Sequence, residues 1–373
     1  MKQLVTIILC ALTALTVPIC ANAAELPDTS AQAYVLYCPD NGEILASENE
    51  NERMKPASTT KLMTTLITLE HAAKGNEIIT FTDEMTAEGS SMYLKLGEQV
   101  TLRDLAVGMM LSSGNDAANA AAITIGGSSE EFAELMNSRA AEIGMENTHF
   151  VTPSGLDDDE HYSTAYDLAL LMTEGLKNAD FADLTSMKSA QVVFREPHDK
   201  RVTYTNHNRL LSLYDHCIGG KTGYTQAAGR CLVSAAKKDG VTLICVTLND
   251  KNDWNDHAAL YDYGFSRLQA AASTDSEYRL DVPVVGGEDD SVPVAGGKDF
   301  SAVLPADTEV ERRVMLPNFL YAPVSEGRQV GIIEYRADGK LLGTVPLIAA
   351  AEVEEKQSAK GFFEWIKDLF THG

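Results

Sequence analysis

The sequence predicts an α+β domain, an antiparallel sheet with its helices gathered beside it, followed by a smaller all-β domain. Three observations predict it. Strand patterns open the chain, a block of helical patterns follows, and strand patterns return before a last helix. The helix beginning at "PASTTKLMTTLITLEHAAK" is apolar on nearly every side, which places it inside a domain rather than on its surface. Past about residue 272 the texture changes to short alternating runs split by Gly, Pro and Asp. A chain of 373 residues with 45% hydrophobic content suits two folded domains of this kind.

The first 23 residues stand apart. Lys2, the apolar run "LVTIILCALTALTV" and the small-x-small site Ala21-Asn22-Ala23 read as a secretory signal peptide, so the protein is expected to be exported. Ile19 before Cys20 is too bulky for a lipoprotein signal, and the flanks of a transmembrane anchor are missing. Removing the signal leaves Cys38, Cys217, Cys231 and Cys245, too few for a disulfide scaffold. Cys217 and Cys231 bracket a hairpin, and register decides whether they face one another; free thiols are expected. No cysteine or histidine spacing suits a metal, and no cofactor is expected. A net charge of −24 argues against nucleic acid as a partner, because phosphate contacts need a basic face.

The elements follow in order. "QAYVLYC", the Asn41-Gly42 turn and "EILASEN" form a hairpin. Pro56 and Ser58 start the first helix, and Gly75 ends it. Leu102, Leu105, Ala106, Met109 and Met110 keep helical spacing; Ser113-Gly114-Asn115 interrupts it, and an alanine-rich helix continues. Further helices are expected near 130–143 and 165–177. "SAQVVF", "RVTYTN", "CIGGKTGYT", "GRCLVSAAKKDG" and "VTLICVTLN" read as strands, and "WNDHAALYDYGFSRL" as the closing helix. The sheet therefore joins strands from both ends of the domain. The expected division is 1–23 signal peptide, 24–271 first domain, 272–350 β domain, 351–360 polar linker and 361–372 amphipathic helix.

Three short motifs carry chemistry. Ser58 and Lys61 lie at i and i+3, so an amine can reach a hydroxyl at a helix mouth where free N–H groups favour an oxyanion. Alone, S-x-x-K is common. Ser113-Gly114-Asn115 adds a polar break between apolar helices, and Lys221-Thr222-Gly223 adds a strand on which glycine permits close approach. In this order the three form the signature of penicillin-binding proteins and class A β-lactamases.

The chain resembles the serine D-alanyl-D-alanine carboxypeptidases of the peptidase S11 type, the low-molecular-mass penicillin-binding proteins. "GSSMYLKLGEQVTLRDL", "TPSGLDDDEHYSTAYDLA" and "KTGYTQAAGRCLVSAA" extend the resemblance over roughly 30–268, and the region after 275 resembles the family's C-terminal domain more loosely. The resemblance implies a β-lactamase/penicillin-binding-protein-like fold and these roles. Ser58 is the acylated nucleophile, and Lys61 takes its proton. Ser113 relays protons to the leaving amine, and Asn115 bonds the substrate backbone. Lys221 and Thr222 hold the terminal carboxylate, Gly223 opens the strand, and the N–H groups of Ser58 and Tyr224 form the oxyanion hole. It further implies cleavage of the terminal D-alanine from a peptidoglycan stem pentapeptide, with β-lactam antibiotics acylating Ser58.

Rival readings are a β-lactamase, a DD-transpeptidase and a non-catalytic wall scaffold. Gly114 stands where the β-lactamase motif has aspartate, and no E-x-x-L-N-like loop is evident. The intact Ser58, Lys61, Ser113 and Lys221 argue against a scaffold, and product analysis separates water from an amine as acceptor. His161 is expected to order a loop rather than act as a base. Asp157, Asp158, Asp159 and Glu160 are expected to form a solvated loop, and Arg230 and Cys231 to be ordinary strand residues. Lys251 is a candidate substrate contact. In the tail, Phe362, Phe363, Ile366, Leu369 and Phe370 share a helical face too short to span a bilayer and suited to lying in its interface. The protein is expected on the outer face of the cytoplasmic membrane or in the cell-wall space.

Overall fold

The structure, a computed structural model, describes residues 25–357. The expected signal peptide and amphipathic tail helix lie outside the described residues. The first domain is built on a five-stranded antiparallel sheet among those residues. It opens with β1 (Ala33–Cys38) and β2 (Glu43–Glu48), the expected hairpin, with Gly42 in the left-handed region at its turn. Every residue of β1 is buried, as "AYVLYC" suggests for a strand covered on both faces.

A 3₁₀ turn, Ala57–Thr60, leads into α1 (Lys61–Ala72), and residues 61–69 are buried without a break. This is the interior helix that its all-round apolarity predicts. The short strands β3 (Ile78–Thr80) and β4 (Gln99–Thr101) pair outside the main sheet and were not expected from the sequence. α2 (Leu102–Leu111) starts in a capping box: Asp104 N donates to Thr101 Oγ1, and the Asp104 carboxylate accepts from Thr101 N. α3 (Asn115–Gly126), α4 (Ser129–Ile143), α5 (Ala165–Leu176) and α6 (Ala179–Ser186) complete the cluster. Asn115, expected in the loop between α2 and α3, is the first residue of α3.

A separate hairpin, β5 (Ser189–Val193) and β6 (Arg201–Thr205), and the single turn α7 (Leu210–Leu213) precede the return to the sheet. β7 (Cys217–Thr225), β8 (Gly229–Lys238) and β9 (Val241–Leu248) then complete it in the order β2-β1-β9-β8-β7. The register pairs Cys217 with Ala236 and Gly223 with Cys231, so the two hairpin thiols do not face each other, and all four cysteines are free. One face of the sheet carries the main core, Val35, Val233, Ile244 and Val246 against α1 to α6. The other face packs Leu36, Leu243 and Cys245 against Leu260 and Tyr261 of α8 (Asp253–Arg267). β7 is left as an edge.

α8 passes without a gap into β10 (Leu268–Ser273), which runs through the expected boundary between 271 and 272. β11 (Arg279–Val285), β12 (Ser291–Gly296), β13 (Phe300–Pro305), β14 (Val310–Met315), β15 (Leu320–Tyr321), β16 (Gln329–Ala337) and β17 (Lys340–Ala349) form the all-β domain. Its larger sheet runs β14-β16-β17-β12-β11-β15, and β10 pairs with β13. Residues 351–356, expected as linker, instead extend this domain. Val353 is buried in its core and bridges Val324, and Glu355 bridges Gly287. An isolated valine in a polar run gives no periodicity, so the sequence hides the docking.

Candidate active site

Ser58 lies on the 3₁₀ turn ahead of α1, not on α1 itself. With three residues per turn, i and i+3 eclipse, and Lys61 comes to lie over Ser58. Lys61 Nζ is 2.9 Å from Ser58 Oγ and donates to the Ser154 carbonyl at 2.6 Å. The turn is tied by Thr59 Oγ1 donating to Pro56 O at 2.7 Å. Ala57 at its head has φ 49, a left-handed conformation that costs a non-glycine residue about 1–2 kcal/mol. Gly155, at φ +78, presses against the Ala57 carbonyl so closely that no Cβ fits between them.

Lys61 is fully buried. Desolvation lowers its pKa well below the ordinary lysine value; the charge on Lys221 pushes the same way, and Asp116 opposes. A neutral amine in this position keeps an N–H for Ser154 and turns its lone pair to the Ser58 hydroxyl. That is the arrangement of a base with its nucleophile.

The second motif is aimed by backbone strain. α2 ends, Ser113 takes φ 57, and Gly114 N reaches back to Gly108 O at 3.0 Å before α3 begins. This turn brings Ser113 Oγ within 3.1 Å of Lys221 Nζ. Asn115 Nδ2 is spent on Glu88 O at 2.7 Å, while its buried Oδ1 has no partner among the described residues. A buried acceptor of this kind is costly unless something fills it. Asp116 fastens the loop across the cleft, accepting from Met92 N at 2.7 Å and Ser91 Oγ at 2.7 Å.

The third motif lies on the sheet edge. Lys221 is buried, 1% exposed, and bonds Ser113 and the Thr222 carbonyl; desolvation brings its pKa down to about 7. Gly223 sits against the serine turn: a Cβ there would lie 3.0–3.1 Å from Pro56 O, Ser58 N and Thr59 N. The close approach that glycine was expected to permit is thus an approach by the protein's own turn.

His161 orders a loop. Its Nδ1 accepts from Val151 N at 2.9 Å and Thr152 N at 3.2 Å, so the proton is on Nε2, 2.8 Å from Thr60 Oγ1. Burial brings its pKa down to about 4. The loop so fixed carries Ser154, whose carbonyl meets Lys61. Thr225 Oγ1 donates to Asp157 and Lys55 reaches Asp158 O and Asp159, while Asp157–Glu160 are otherwise a surface turn. Among the described residues no cluster could hold a metal.

Ser58, Ser113, Thr222, Gly223 and Tyr224 line one cavity of about 500 Å³, with Lys61, Asn115 and Lys221 beneath its surface. Ser90, His207, Arg230, Asp253 and Trp254 complete the wall. The sequence reading missed these. Pairing Thr225 with Gly229 in the hairpin sets Arg230 opposite Tyr224 and could have signalled it. Lys251 is exposed and not part of the wall.

The sequence pattern of the family described as D-alanyl-D-alanine carboxypeptidase matches residues 20–252. That of the penicillin-binding protein 5 C-terminal domain matches 270–355. D-alanyl-D-alanine carboxypeptidase DacF of Bacillus subtilis (strain 168) is 31% identical over 353 residues, covering 90% of this chain and 88% of the relative. D-alanyl-D-alanine carboxypeptidase DacC of Escherichia coli (strain K12) is 32% identical over 378 residues, covering 93% and 89%. The crystal structure of penicillin binding protein 5 from Haemophilus influenzae superposes with a TM-score of 0.64 at 29% identity, over 89% of this chain and all of that one.

Proposed function

This chain belongs to the D-alanyl-D-alanine carboxypeptidase family, and we propose that within it Ser58 is the nucleophile and Lys61 its base. The enzyme is a serine hydrolase that removes the terminal D-alanine from D-Ala-D-Ala peptides of peptidoglycan. The observation that carries the assignment is the 2.9 Å contact between Ser58 Oγ and a fully buried lysine.

Neutral Lys61 takes the Ser58 proton as Oγ attacks the penultimate D-alanine carbonyl. The developing oxyanion lies between the backbone N–H groups of Ser58 and Tyr224, where one donor typically supplies about 10²–10³ in rate. As the peptide C–N bond breaks, the proton that Lys61 took passes by way of Ser113, which Lys221 contacts, to the leaving amine, and Lys61 is neutral again. Water then attacks the Ser58 ester; Lys61 accepts the water's proton, and it returns to Ser58 Oγ as the shortened peptide leaves. Asn115 Oδ1 accepts a substrate N–H, and Thr222 with Lys221 beneath it favours the terminal carboxylate. β-Lactams carry a carbonyl and a carboxylate in the same relation and acylate Ser58.

Incubation with benzylpenicillin followed by intact-mass measurement tests this. The wild type gains one penicilloyl group, and Ser58→Ala gains none; an adduct of equal yield on the alanine variant would displace Ser58 from the mechanism.

The substrate lies outside the cytoplasm, and the finer location is also a proposal. Among the described residues no helix is long and apolar enough to cross a membrane. The tail sequence "GFFEWIKDLF" carries five large apolar residues at helical spacing. Burying five such side chains is worth at most about 7–15 kcal/mol, enough for peripheral attachment when only half is realised. A chain ending before residue 359 is expected to lose its affinity for vesicles; unchanged partitioning would refute the attachment.

A further inference from the structure

Three exposed apolar side chains of the β domain stand together. β15 is the last strand of its sheet and pairs in parallel with β11, Val284 beside Leu320 and Val285 beside Tyr321. Val284 and Leu320 belong to the core, so Val285 and Tyr321 are turned out side by side, 49% and 68% exposed. Phe319, two positions before Tyr321, is 45% exposed and meets the tyrosine ring edge-on at 5.2 Å between centroids. Pro283, two positions before Val285, is exposed on the same face. None of the four carries a charge, and a contiguous apolar surface of this kind marks a place that something covers.

The last described residues leave the fold at this spot. Ala322 N donates to Val285 O at 3.1 Å, and Lys356 N donates to the next carbonyl, Gly286 O, at 2.9 Å. Phe362, the first large apolar residue of the tail, is six positions past Lys356, a reach of about 20 Å when extended. The apolar face formed by Phe362, Phe363, Ile366, Leu369 and Phe370 therefore reaches the patch on a short tether, at an effective concentration of about millimolar.

Charge favours the tail over a bilayer as the occupant. Glu288, Asp289 and Asp290 are exposed on the turn beside the patch and repel an anionic lipid surface. Lys356 answers one of them, Asp290, at 3.6 Å. In the tail Lys360 and Lys367 balance Glu364 and Asp368, so it meets no such repulsion.

We propose that the tail folds back onto its own β domain, its apolar face seated on Phe319, Tyr321 and Val285, and that this latch competes with the membrane for that face. One apolar face cannot be buried in two places. Seating the tail therefore lowers its apparent affinity for lipid in proportion to the fraction left unlatched. The tail is covered in both states, by protein away from the bilayer and by lipid upon it.

Trp365 reports the outcome, since the chain has two tryptophans and the other, Trp254, lies in the catalytic cavity. The full mature chain is prepared with Trp254→Phe, and again with Phe319→Ser and Tyr321→Ser added, the buried Leu320 being left in place. Without lipid, Trp365 emission in the parent is expected to be blue-shifted and shielded from iodide at every protein concentration. In the patch variant it should move to that of a water-exposed indole. Phosphatidylcholine vesicles then supply a test of sign. Freeing a tail that is latched about nine times in ten raises vesicle affinity about tenfold, so the variant should bind more tightly than its parent. Equal or weaker binding by the variant would overturn the proposal, the weaker case because the patch itself then touches lipid. Water-exposed Trp365 in the lipid-free parent would also overturn it. So would a blue shift that appears only at high protein concentration, which seats the tail on a second copy. If Trp254→Phe does not fold, the shift is read in the native background as the difference between parent and variant. Failure of both proteins to bind vesicles would count against membrane attachment, a separate result, while the lipid-free emission still decides the latch.

Discussion

Lys221 Nζ stands 3.1 Å from Ser113 Oγ, beneath the floor of the cavity rather than on its wall. The cost of keeping a cation there can be measured. Lys221 titrates at about 7 in the fold against an ordinary 10.5. Between these values the unfolded chain holds a proton that the folded chain has released, so stability rises with pH across that window; below 7 the full cost is borne. Lys221→Met is therefore expected to stabilise the protein while removing activity, with a gain of a few kcal/mol at pH 6 that shrinks toward pH 10. Denaturant titrations at pH 6 and 9 check this, and an equal gain at both would mean that the lysine titrates normally.

Lys61→Ala leaves Ser58 without its proposed base. General-base catalysis contributes about 10²–10⁴, so penicilloylation of Ser58 should slow by at least about a hundredfold. Lys61→Arg should be no better, because a guanidinium stays protonated. Time-resolved mass spectrometry reads both, and a near-native rate in the arginine variant would refute the base assignment.

Gly223→Ala places a methyl 3.0–3.1 Å from Pro56 O and from the N–H nitrogens of Ser58 and Thr59. The strand and turn must separate by a few tenths of an ångström, which misaligns the proposed Ser58 and Tyr224 oxyanion donors. Loss of one such donor costs about 10²–10³ in kcat, and the melting temperature should change little. An active alanine variant would show that the two elements give way without harm.

His161→Gln tests the loop beneath the site. The imidazole titrates at about 4 in the fold against 6.5 unfolded. The unfolded chain binds the extra proton between those values, so this group's contribution is present above 6.5 and is lost as pH falls toward 4. The variant should flatten that part of the stability profile and cost about 1–3 kcal/mol at neutral pH by stranding Val151 N–H and Thr152 N–H. Its kcat should fall, because the Ser154 carbonyl no longer fixes Lys61. Unaltered kcat would separate the loop from catalysis.

The three motifs were legible because each needs particular residue types at fixed spacing, and the helices because their apolar periodicity is long. What held them was not. The φ of 57 at Ser113 and of 49 at Ala57 leave no trace in residue type, since neither position is glycine or asparagine. The Ser154 carbonyl is a backbone group, and no side-chain pattern announces it. Arg230 read as a strand residue because the cavity wall it joins is completed by α8, more than twenty positions later. His161 was legible in its role but not in its partners.

β1 lies between β2 and β9, with Ala33 paired to Leu248. A polypeptide that crosses a membrane with its N-terminus leading delivers β1 long before β9, and until β9 arrives the centre of the catalytic sheet does not exist. Its buried strand must wait, paired only with the neighbouring hairpin arm. Such distant pairing slows folding. The topology thereby sets an order of events: the sheet closes only when nearly the whole catalytic domain is available.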